Sequence, residues 1–147
     1  MDEEYLVKEF EECYQNEEKG KIIEIGTGNQ SKMADCELEY NKEYVKLEAK
    51  VFKDTRSNSN NIHKMFTQIL TNRKKVAFKN INNLNVSYGF LFDKRYIEYV
   101  KNKLKKEFIE SDLLVFEECF ELKYVFIYDS EKKSFEVEEW KDFIEVK

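Results

Sequence analysis

Proline is absent from the 147 residues, and glycine occurs only four times, at positions 20, 26, 28 and 89. With so few breakers, little forces the chain out of helix or strand. No Gly- or Pro-rich linker divides it, so one domain spanning 1–147 is expected. Cysteine is scarce and odd in number (Cys13, Cys36, Cys119), and no two lie close enough for a zinc knuckle or a redox pair. With His63 the single histidine, a Cys/His zinc site would need all four groups to converge, so three reduced thiols acting as small apolar groups are expected. No apolar run approaches the roughly 20 residues of a membrane span. The acidic start, Met1 to Glu4, leads into no apolar signal segment. A protein acting in the cytoplasm, away from membranes, is expected. No Walker loop and no nucleophile elbow occurs.

What is present is aromatic and charged. Hydrophobic residues make up 41% of the chain, with 12 Phe and 9 Tyr, enough for a core without disulfides in a domain that buries roughly 70% of its unfolded surface. The net charge of −5 argues against a general nucleic-acid coat, but it conceals a segregation. Residues 1–45 hold 5 Lys/Arg against 13 Asp/Glu, residues 46–79 hold 9 against 2, and residues 80–147 hold 11 against 15. The basic middle is either a footprint for a polyanion or a solvated face.

Periodicity orders the elements. Tyr5, Leu6, Phe10, Cys13 and Tyr14 form the apolar stripe of a helix over residues 3–16. A short strand follows at 21–25, then a polar loop at 26–31. Residues 35–40 and 44–52 alternate in a two-residue period, joined by Asn41, Lys42 and Glu43, and this pattern predicts a β-hairpin. Ile62, Met65, Phe66, Ile69 and Leu70 predict a second helix, with Ser59 or Asn60 as N-cap. Residues 76–92 read as an interrupted strand, 95–110 as a helix, 113–128 as rich in β-formers, and 135–140 as a last strand.

The hairpin carries the chemistry. A two-residue loop at Asn41-Lys42 pairs Tyr40 with Glu43, and that register sets Asp35 opposite Glu48, with Lys50 on the same face. Two carboxylates on adjacent strands offer hard oxygen ligands to Mg²⁺ or Mn²⁺. A metal there polarises a phosphodiester and acidifies a bound water, while the lysine positions that water or offsets developing charge. Glu-x-Lys recurs at 17/19, 121/123, 131/133, 139/141 and 145/147. Of these, Glu121/Lys123 is the rival, being in a strand-like run with Asp112 upstream. Glu48 is preferred because Asp35 lies on the partner strand, an amphipathic helix follows, and the basic segment starts there.

Ala34-Asp35, twelve residues, then Glu48-Ala49-Lys50 resembles the signature of the PD-(D/E)xK nuclease superfamily, with Ala34 in place of the nominal proline. The resemblance implies an α/β (α+β) fold. Its central mixed sheet with flanking helices would be a restriction-endonuclease-like α-β-β-β-α-β core with an α-β-β extension. It implies a single nuclease-like domain hydrolysing DNA or RNA, with Asp35, Glu48 and Lys50 catalytic. It further implies Mg²⁺ or Mn²⁺ held by Asp35, Glu48 and Glu11, the last on the first helix. The run Ser57 to Asn61 and the later strand 124–128 resemble nuclease domains of bacterial polymorphic toxins. That likeness implies a tRNA-cleaving toxin domain with an immunity protein as partner. Arg56, Lys64, Gln68, Arg73, Lys74 and Lys75 are the candidate nucleic-acid contacts, with a solvated polar surface as the other reading of each. Two other classes stay open: a nuclease-like fold that binds without cutting, and an acidic interaction protein of the immunity or anti-defence kind.

Overall fold

The computed structural model describes residues 3–17, 36–52, 57–75 and 85–145, and the side chains of 17, 57–61, 72, 74 and 75 lie outside the description. The elements run α1 (Glu3–Glu17), β1 (Cys36–Tyr40), β2 (Glu43–Lys50), α2 (Ser57–Lys75), β3 (Asn85–Asp93), a 3₁₀ turn (Lys94–Tyr96), α3 (Ile97–Glu107), α4 (Glu110–Phe120), β4 (Leu122–Asp129), β5 (Ser134–Glu139) and α5 (Trp140–Ile144). The strands form one mixed sheet in the order β1-β2-β3-β4-β5. Its inner pairs, β2 with β3 and β3 with β4, are parallel, and its outer pairs are antiparallel.

The two-residue period of the strands sorts side chains into two cores. Val45, Leu47, Ala49, Leu91, Phe126 and Tyr128 face α1, meeting Leu6, Val7, Phe10 and Tyr14. Tyr88, Phe90, Phe92, Val125 and Ile127 face the other way, onto α2, α3, α4 and α5. The sheet curls around α1. The Tyr40 ring lies 5.2 Å from both the Tyr124 and the Phe126 rings, although β1 and β4 would stand about 14 Å apart in a flat sheet. Gly89 lets β3 approach β4 within this curl: a Cβ there would meet the Tyr124 carbonyl oxygen at 2.5 Å.

Scarce glycine shows in the corners. Asn41 (φ 52°) and Lys42 (φ 61°) make the hairpin turn, Glu121 (φ 60°) caps α4, and Lys133 (φ 51°) sits in the β4–β5 turn, all in the left-handed region that glycine favours. The two-residue loop gives the predicted register, Tyr40 with Glu43 through Cys36 with Leu47. Other expectations shift. Residues 110–120 form α4 rather than strand, and only 122–129 extend as β4. Trp140 opens α5 instead of ending β5, since Trp140, Phe143 and Ile144 share a helical face and are buried. Of the strand read at 76–92, residues 85–93 are β3; positions 76–84 and the strand read at 21–25 lie outside the described residues.

A polar tie crosses the N-terminal end of the sheet. Tyr88 pairs with Leu122 and Gly89 with Tyr124, so Lys123 is an extra residue in a β-bulge. Its ammonium donates to Glu43 Oε1 at 2.7 Å, Ser87 donates to the same oxygen at 3.0 Å, and the Tyr124 hydroxyl donates to Oε2. Burial pushes the Glu43 carboxyl up, but these donors together outweigh it and hold it below its ordinary 4.5. A depressed pKa contributes stability that is full above the unfolded value and is lost as pH falls through the folded one. Wild-type protein is therefore expected to exceed Glu43→Gln in thermal midpoint at neutral pH, with the gap closing below pH 4.5. Melting curves from pH 3 to 7 check this, and a gap independent of pH would refute it.

Candidate active site

β2 lies second in the sheet, hydrogen-bonded on both sides, and its two faces differ in kind. One carries Val45, Leu47 and Ala49 after Glu43 at the strand's start; the other presents Lys46, Glu48 and Lys50 at two-residue spacing. All three are buried, at 2%, 4% and 5% exposure, as is Glu37 at 6% directly opposite Lys46. Burying ionised groups is costly unless they are paired. On this face β3 carries Phe90 beside Glu48 and Phe92 beside Lys50, which shows what packing alone would select.

Pairing is visible along the stripe. Lys46 Nζ lies 3.4 Å from Glu37 Oε1 and 5.6 Å from the centre of the Tyr44 ring, and the Tyr44 hydroxyl donates to the same Glu37 oxygen. Burial, then the Glu37 carboxylate, pushes the Tyr44 phenol far above its ordinary range. At the other end Lys50 Nζ lies 3.8 Å from Glu3 Oε1 in the first turn of α1. Glu48 and Lys50 thus share a face as expected, while Asp35 lies outside the described residues.

Glu11 is half-buried on α1, eight residues and about 12 Å along the helix axis from Glu3. Glu3 is therefore the α1 acid beside Lys50. It is one of several glutamates in that helix, and no local pattern in the sequence distinguishes it. On α2, Lys64 is exposed and Gln68 half-buried, and the buried Gln68 Oε1 has no hydrogen-bond partner among the described residues. The α2 residue Phe66 packs on Phe90, Phe108, Phe116 and Trp140. Gln68, about 200° further round, occupies the other flank. Arg73 stands elsewhere, its guanidinium over the Tyr88 ring at 5.8 Å and the Phe120 ring at 5.5 Å. Tyr88 pairs with Lys46, so Arg73 is about 13 Å along the sheet from the level of Lys50. Burial pushes the Tyr88 phenol up to about 12 against the pull of Arg73. Arg56 and the side chains of Lys74 and Lys75 lie outside the described residues. His63 is an exposed α2 residue with Nε2 3.0 Å from Glu107 of α3.

The rival Glu121 and Lys123 lie 3.8 Å apart, but not as neighbours on one strand face. Glu121 is the left-handed cap of α4 rather than a strand residue, and Lys123 is occupied by Glu43 in the bulge. Among the described residues no three His, Cys, Asp or Glu groups converge as a metal cage. Magnesium does not require one, since it keeps waters and is held by one or two carboxylates with substrate phosphates. The Glu48 carboxylate on β2 is of the hard-oxygen type such an ion takes. Among the described residues no helix is long and apolar enough to cross a membrane.

No family model matches the chain, and no curated protein matches it. Two crystal structures share its fold. One is an FdxN element excision controlling factor protein from Anabaena variabilis, 12% identical with a TM-score of 0.60, aligned over 92% of this chain and 98% of that one. The other is an XisH family protein from Nostoc punctiforme PCC 73102, 14% identical with a TM-score of 0.58, over 93% and 97%. At these identities the likeness is one of fold: a curled five-stranded mixed sheet with flanking helices.

Proposed function

We propose that the chain is a metal-dependent nuclease with Asp35, Glu48 and Lys50 at its centre. The observation that carries this reading is the buried Glu48–Lys50 pair on an interior strand, where packing alone would favour apolar side chains. Asp35 and Glu48 would hold Mg²⁺ or Mn²⁺, and Glu3 stands nearer Lys50 than Glu11 does as the supporting acid of α1. A divalent ion supplies Lewis-acid polarisation of the phosphate and a more acidic bound water. Lys50 orients the attacking water or offsets charge on the phosphate, and Glu3 restrains the Lys50 ammonium. Gln68, half-buried on the flank of α2 away from the aromatic core, is a candidate polar contact of that helix with the substrate. Lys64, with Arg56, Lys74 and Lys75 near it in the sequence, neutralises backbone phosphates. One protein of the same fold is named for controlling the excision of an element, which favours DNA as the first substrate to test.

Incubation with double-stranded DNA, single-stranded DNA and tRNA, each with Mg²⁺ or with EDTA, tests the reading. Cleavage that appears with Mg²⁺ and vanishes with EDTA is expected. Binding without cleavage of any substrate would replace it with the inactive nuclease-like alternative.

A further inference from the structure

α4 is apolar over more of its circumference than its packing uses. Leu113, Leu114, Val115 and Phe116 are consecutive, so at about 100° per residue they span about 300° of the helix. A helix lying on a sheet needs an apolar stripe of only about 100°. Leu113 is the one fully buried residue of α4. Leu114 and Phe116 pack at the margin of the core, and Val115 is 41% exposed. Ile109, at the N-cap of the same helix, is 67% exposed, and Cys119, one turn beyond Val115, is exposed as well.

The charges around this face are of one sign. From Glu110 to Glu121 the chain holds five acids and no base. Asp112 and Glu118 are exposed, and each lies about 60° from Val115 around the helix, on opposite sides of it. Glu117, Glu118 and the capping Glu121 crowd the C-terminal end, where the helix dipole favours cations. Burial pushes the Glu117 carboxyl up, Lys141 pulls against it, and Glu139, Asp142 and Glu118 add to the rise. The nearby lysines are engaged: Lys123 lies 2.7 Å from Glu43 and 3.8 Å from Glu121, and Lys141 lies 3.7 Å from Glu139. Arg73 shows how this helix receives a cation, its guanidinium lying over the Phe120 ring at 5.5 Å.

Such a surface repels nucleic acid and anionic lipid. It also disfavours a twofold contact with a second copy, which would set α4 acids against α4 acids. We propose that the face of α4 bearing Ile109, Val115 and Cys119 docks a basic amphipathic helix of another protein. The partner's apolar side covers Ile109 and Val115, and lysines or arginines at its margins meet Asp112, Glu117 and Glu118. The proposal is independent of the nuclease reading.

The probe is a synthetic leucine–lysine helix of about 18 residues, long enough to form in water, and the same peptide with glutamate for lysine is its control. Fluorescence anisotropy of each labelled peptide, titrated with the full chain, is expected to show binding of the lysine form only. Asp112→Lys with Glu118→Lys is expected to weaken that binding at least about 10-fold. Glu12→Lys with Glu131→Lys makes the same change in net charge at exposed acids on the α1 side, where Cys13 meets the Lys133 carbonyl. This pair is expected to stay within about twofold of wild type. Ile109→Ser with Val115→Ser removes the apolar half, again with at least about 10-fold weakening. Saturating peptide is expected to slow the reaction of the Cys119 thiol with maleimide at least about fivefold, Cys13 and Cys36 being buried. Should one α4 variant fail to fold, as judged by circular dichroism, the other and the protection of Cys119 carry the test. No binding of the lysine peptide, equal loss in the α4 and α1 charge variants, or an unprotected Cys119 overturns the proposal. So does a chain that is dimeric by sedimentation and becomes monomeric in Ile109→Ser with Val115→Ser, since that gives the face to a second copy.

Discussion

Glu48→Gln is expected to give a folded protein whose metal-dependent cleavage falls by at least about 100-fold. The substitution preserves shape and removes one negative charge from a site only 4% exposed. A carboxamide is a poor ligand for a hard divalent ion and supplies no charge to hold it. Circular dichroism that shows a native fold beside lost cleavage separates a functional group from a structural one. Glu48→Gln protein that cuts at the wild-type rate removes Glu48 from the reaction.

Trp140→Ala is expected to cost about 3–5 kcal/mol, the range for truncating a large buried aromatic residue. Trp140 is fully buried where α5 meets the sheet, against Phe66, Phe90 and Phe143, and its indole N–H donates to the Leu113 carbonyl at 2.8 Å. The truncation opens a cavity and removes that hydrogen bond in one step. Against a total stability of order 5–15 kcal/mol, a fall of roughly 10 °C in the thermal midpoint should follow. Urea denaturation checks it. A loss below about 1 kcal/mol would mean that α5 does not close this core.

The sequence made the hairpin legible because two alternating runs flank a loop of two residues, so face and register follow together. The Glu37–Lys46 contact was readable from the same register, being one rung of the ladder that relates Tyr40 to Glu43. The stripes of α1 and α2 were legible for a like reason. α4 was not: Leu113, Leu114, Val115 and Phe116 are consecutive, and an unbroken apolar run fits a buried strand as well as a helix. Only Leu113 of these is fully buried, which the sequence does not reveal. The five-residue α5 is too short for its period to stand out. At the site, Glu3 could not be chosen among the acids of α1, because the choice depends on where that helix crosses β2. Arg73 belongs to a basic run, and only its place above Tyr88 and Phe120 makes it a packing residue. The rival at Glu121/Lys123 fell to a bulge and a left-handed cap, neither of which has a local signature here.

Asn41, Lys42, Glu121 and Lys133 turn the chain where glycine would normally serve. Each such residue sits roughly 1–2 kcal/mol above its relaxed conformation, held there by its surroundings. Bends of this sort do not act as pivots, since moving one means undoing what holds it. The strand bearing Glu48 begins at one such bend, and the strand that completes the sheet interior begins directly after another. The frame is thus shaped before any encounter. Under the nuclease reading, the adjustment on binding falls to the nucleic acid, and substrates already bent or unpaired at the scissile step should be cut first.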